Sequence, residues 1–111
     1  MFGLFKKRNQ ASAADDFAVL SQQACSDIKE KWVYFNNTIH FKAGVSLAQR
    51  VEAFAQPVSQ FFRESYPQLS LSGSKTFWLI TFTAIAESGT HPASEVSTAM
   101  AQIQKQYGPA Q

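Results

Sequence analysis

Apolar residues recur three or four positions apart in four separate stretches of this chain, and each stretch ends at a glycine, a proline or a polar loop. At 3.6 residues per turn that spacing gathers the apolar side chains on one side of a helix, whereas a half-buried strand needs alternation by two. The pattern predicts an all-α protein.

The first stripe is Phe17, Leu20, Ala24, Ile28, Trp32, Phe35 and Ile39. Asp15 and Asp16 stand at its start, where carboxylates accept from free backbone N–H groups and complement the positive end of the helix dipole. Trp32-Val33-Tyr34-Phe35 is β-prone and Asn36-Asn37 is a turn signal, so this helix is expected to fray or stop early. After Gly44, Ser46 and Gln49 have the spacing of a capping box, and a second stripe follows through Leu47, Val51, Phe54, Val58, Phe61, Phe62 and Ser65. Pro57 has no N–H for the carbonyl of Ala53 and predicts a kink or a fresh helical start, and Tyr66-Pro67 closes the element.

A polar loop, 68–74, is expected next, with Ser72 or Ser74 capping a third helix that stops at Gly89. That helix is apolar nearly all round. Phe77, Ile80, Ala84 and Ile85 lie on one side and Trp78 and Phe82 on another, leaving mainly threonines to face water. The fourth opens at Thr90-His91-Pro92, carries Val96, Ala99, Met100, Ile103 and Tyr107 as its stripe, and ends at Gly108-Pro109. Short connections make neighbours antiparallel, so the expected architecture is an antiparallel four-helix bundle with two longer and two shorter helices, the second kinked at Pro57. Residues 1–12 read as a flexible tip, 13–108 as one helical domain and 109–111 as a disordered end.

The 111 residues suit one domain, and 45% apolar against 16% charged residues excludes a disordered body. The net charge of +2 is misleading, because Lys6, Lys7 and Arg8 supply three positive charges and the remainder sums to −1. A basic nucleic-acid footprint on the folded body is therefore missing. Phe2, Leu4 and Phe5 precede those cations, the wrong order for a secretory signal, and form at most a weak membrane-surface or partner-docking tip. The longest uncharged apolar run, Thr76 to Ala86, is far short of the ~20 residues a spanning helix needs. A single cysteine, Cys25, fits a reducing compartment, and the expected location is the cytoplasm.

Motifs that carry chemistry are thin. Ser26-x-x-Lys29 and Ser72-x-x-Lys75 have the spacing with which a lysine activates a serine, but chance supplies such pairs among 12 serines and seven lysines, and the accompanying SDN and KTG elements are absent. Gly73-Ser74-Lys75-Thr76 matches a phosphate loop only in part, since Ser74 and Leu69 stand where glycines are required. Glu87, His91 and Glu95 are spaced by four and would line up two carboxylates and an imidazole on one straight helix, but Gly89 and Pro92 interrupt it. They are weak candidates for a metal or acid–base site. His40 suits the negative end of the first helix. Helices three and four also form a candidate helix-turn-helix, although no Lys or Arg lies between Ala93 and Gln104 to hold phosphates.

Ten phenylalanines and two tryptophans exceed what the stripes accommodate. Trp78, Phe82, Tyr34, Val33 and Phe41 are the surplus, and exposed apolar patches mark partner surfaces. The function expected is that of a non-enzymatic, cofactor-free module acting by protein–protein contact and self-association, chiefly through the Trp78–Phe82 face. A nucleic-acid-binding regulator is the alternative, and a ligand-binding, metal-binding or catalytic protein with a site built from scattered residues comes third.

Overall fold

In a computed structural model, residues 13–107 are described, and all of their regular structure is helical: α1 (Ala13–Thr38), α2 (Leu47–Ser65), α3 (Pro67–Ser70), α4 (Ser74–Ser88) and α5 (Ala93–Tyr107). The basic tip with Phe2, Leu4, Phe5, Lys6, Lys7 and Arg8, the Gly108-Pro109 stop and the C-terminal residues lie outside the described part.

Helix α1 does not stop early. Its β-prone segment stays helical to Thr38, and the backbone N–H of Ile39 still donates to the Phe35 carbonyl. The reason is tertiary: Trp32 is wholly buried, and burying an indole outweighs the few tenths of a kcal/mol by which local propensity disfavours a helix. Ala24 and Ile28 are buried beside it, whereas Phe17 and Ile39 at the stripe's ends are partly exposed. Helix α2 begins with the expected capping box. The Gln49 backbone N–H donates to Ser46 Oγ at 3.2 Å and the Ser46 N–H to Gln49 Oε1 at 2.9 Å. One helix runs through Pro57 and ends where the Tyr66 N–H returns to the Phe62 carbonyl.

The segment after Pro67 departs from the expected polar loop. Pro67 opens a single helical turn, because its fixed φ suits the first helical position, and Leu69 anchors that turn by being completely buried. Nor does a serine cap α4. Gly73 occupies the cap with φ +103, a left-handed backbone that only glycine adopts without strain, and Ser74 is already the first helical residue. Gly89, with φ +72, ends α4 as expected.

Helix α4 packs most extensively on α1 and also touches α3 and α5, while α2 packs chiefly on α5 and meets α1 more narrowly. This explains why α4 is apolar almost all round. Phe77, Ile80, Phe82, Ala84 and Ile85 are all buried, and so is Thr81, contrary to the expectation that threonines face water; Leu79 is exposed in its place. From α5, Val96, Ala99 and Ile103 complete one continuous core. Among the described residues, no helix is long and apolar enough to cross a membrane.

Candidate interaction surface

The C-terminal half of α1 meets the middle of α2 through three rings. Trp32 sits edge-on to Phe54 with centroids 5.1 Å apart, and Phe35 lies 5.2 Å from Phe54. Beside these rings residues of the two helices line an apolar groove of about 240 Å³. Tyr34, Phe35 and Ile39 form one wall and Pro57, Val58 and Phe61 the other. Tyr34 is 71% exposed and Ile39 43%, so large apolar groups edge the groove in water.

The groove's charge comes from Lys31. Its Nζ lies 4.3 Å above the Phe61 ring, a cation–π contact, and among the described residues no carboxylate is within ion-pairing distance of it. Thr38 adds a hydroxyl to the lining. Just past α1, Phe41 is half-buried against Phe35, with the Arg50 guanidinium 5.3 Å over its ring. Val33 is half-buried.

Of the expected α4 face, one member is core and the other is partly open to solvent. Phe82 is 1% exposed and belongs to the core, and Trp78 is half-buried with its ring 5.3 Å from Phe77 and 6.1 Å from Phe82. The physical cause is that α4 has neighbours on several sides. Of the five surplus apolar residues, Tyr34 alone lines the groove.

Glu87 and His91 have separate partners, and Glu95 is not grouped with them in a metal-holding cluster. Glu87 Oε1 accepts from the Cys25 thiol and pairs with Lys29 Nζ, each at 3.7 Å, joining α4 to α1. His91 Nδ1 lies 3.0 Å from Thr90 Oγ1, which also accepts from the Trp32 indole N–H at 2.9 Å and lies 3.1 Å from Ser88 Oγ. That network ties the α4–α5 turn to the central indole. Glu95 is exposed in the first turn of α5. No group of three or more His, Cys, Asp or Glu among the described residues is placed to hold a metal ion. Burial, followed by the charge and hydrogen bond of Glu87, pushes the Cys25 thiol up and makes it a poorer nucleophile, despite an opposing effect from Lys29. Lys29 is directed at Glu87, and Ser26 is exposed.

One polar contact escaped sequence reasoning. The Tyr66 phenol donates to Asp27 Oδ2, fastening the α2–α3 junction to α1. Burial, then the hydrogen bond to Asp27 and its charge, push the phenol up to about 12. Only a long-range contact makes this pair, and 39 residues separate the two in sequence. Comparison with protein-family models, with curated proteins and with solved structures yields no match.

Proposed function

We propose that this chain is a small, non-enzymatic helical module that works by protein–protein contact and associates with itself, using the α1–α2 groove to receive a second copy. The observation that supports this most is the groove itself: aromatic and aliphatic walls, edged by the largely exposed Tyr34 and the partly exposed Ile39. A helix laid into such a groove through apolar anchors is a common mode of protein recognition. The thiol held up beside Glu87, and the engagement of Lys29 with the same carboxylate, speak for structural rather than catalytic roles at those positions. In the same reading the four longer helices form a bundle, α2 bends where Pro57 returns no N–H to the Ala53 carbonyl, and the protein works in the cytoplasm.

The test is sedimentation velocity and light scattering across a wide concentration range, on the wild type and on a Tyr34→Ser, Ile39→Ser double variant. Both positions are exposed enough for the fold to tolerate the change. The expected result is concentration-dependent association of the wild type, lost in the variant at unchanged melting temperature. A strictly monomeric wild type at high concentration refutes the proposal.

A further inference from the structure

The groove asks for two things at once, apolar side chains for its walls and a carboxylate for Lys31. Six large apolar side chains are exposed among the described residues, and four of them flank the two ends of α1: Phe17 and Val19 at its start, Tyr34 and Ile39 at the groove. The start of α1 is acidic. Residues 13–20 contain Asp15 and Asp16 and no cation, whereas residues 29–52 contain Lys29, Lys31, Lys42 and Arg50 against Glu30 and Glu52. The other two exposed apolar residues, Leu71 and Leu79, lie four residues either side of Lys75. The exposed stretch that offers both an apolar anchor and a carboxylate is thus Asp16-Phe17-Ala18-Val19, with Phe17 41% and Val19 52% exposed.

That stretch cannot enter its own groove. Phe17 and Lys31 sit on one continuous helix, and 14 residues at about 1.5 Å each separate them by roughly 21 Å along its axis. We infer that the acidic, apolar start of α1 from one copy docks into the α1–α2 groove of a second copy, Phe17 entering against Ile39, Pro57 and Phe61 while Asp16 pairs with Lys31. The inference rests on the self-association proposed above. Two such contacts, exchanged reciprocally, close a two-fold dimer with the α1 helices antiparallel. Pairing of opposite charges at a rim position sets orientation and partner choice more than raw affinity, so charge reversal is the informative perturbation.

The experiment uses the full chain carrying either Asp16→Lys or Lys31→Glu. Each variant alone places like charges at both contacts and is expected to weaken association about tenfold. An equimolar mixture of the two restores wild-type association, because the mixed dimer joins the introduced lysine to the introduced glutamate at one contact and keeps the original pair at the other. Circular dichroism checks that both variants stay folded, and Phe17→Ser, which leaves the charges alone, is expected to weaken association as well. If the wild type associates but ignores all three substitutions, the docking element is wrong while self-association stands. If mixing fails to restore what the single reversals remove, the Asp16–Lys31 pairing is overturned. A wild type that never associates overturns both this inference and the reading beneath it.

Discussion

Thr81 provides the sharpest test of the packing. It is wholly buried in α4, and its Oγ1 has no hydrogen-bond partner among the described residues. Thr83, two residues on, shows the contrast: its hydroxyl donates to the Leu79 carbonyl at 2.7 Å. A buried hydroxyl without a partner costs about 1–3 kcal/mol relative to an apolar group of the same shape. Thr81→Val exchanges that hydroxyl for a methyl, keeps the β-branch and hence the helix propensity, and opens no cavity. The variant is expected to be about 1–2 kcal/mol more stable, a rise in Tm of roughly 5–10 °C for a domain of this size. Urea titration should show a higher midpoint with an unchanged slope, at protein concentrations low enough to keep association out of the measurement. Thr81→Ser is the control. It keeps the unpartnered hydroxyl, loses a buried methyl and should fall by about 1 kcal/mol. If Thr81→Val proves neutral or destabilising while Thr81→Ser is tolerated, the hydroxyl has a partner and the packing around α4 is misassigned.

Phe54→Ala should cost about 3–5 kcal/mol, because the ring is buried against Trp32 and Phe35. Phe61→Ala, at the half-buried groove wall, should cost clearly less in the same melt, and equal losses would mean that the groove is closed. Tyr66 predicts an alkaline limit. A phenol at about 12 when folded and about 10 when unfolded binds more protons in the folded state between those values, so its contribution is intact below pH 10 and is lost as pH rises to about 12. Tyr66→Phe should flatten that part of the stability profile, and a wild-type phenolate absorbance titration centred at the ordinary value would contradict the contact with Asp27. Cys25 should react with a disulfide reagent at neutral pH more slowly than a free thiol, and Glu87→Gln should speed it modestly, since burial is the larger cause. Rates identical to those of the unfolded chain would refute this.

What could be read from the sequence was what one helix decides for itself. The capping box at Ser46 and Gln49, the left-handed stop at Gly89 and the Tyr66-Pro67 boundary all depend on residues within a turn of each other, and all stand in the structure. The failures share an opposite cause. Trp32 through Phe35 look β-prone and Asn36-Asn37 look like a turn until the indole acquires Phe54 and Thr90 as neighbours; the 68–74 segment looks polar until Leu69 is buried; Phe82 looks like a surface residue until α4 is seen to have neighbours on several sides. The groove was half legible. Tyr34 was recognisable as an apolar residue off the stripe, but that Ile39, Pro57 and Phe61 would share a hollow with it depends on how α1 and α2 pack.

That groove connects the fold to the proposed function. Because α1 packs mostly on α4 and α2 chiefly on α5, the α1–α2 contact rests largely on the rings of Trp32, Phe35 and Phe54, and the next apolar residues outward, Tyr34 and Ile39, are exposed. The aromatic residues therefore divide. Phe54, Phe62, Phe77 and Phe82 belong to the core, whereas Tyr34 and the half-buried Phe61 line the groove. If the surplus served packing alone, groove and core substitutions would lower stability alike and association would be absent. If it serves recognition, Tyr34 and Ile39 are separable from the core: their loss abolishes association while the melting temperature holds, and Phe54→Ala does the reverse, lowering stability without changing which charges decide the pairing.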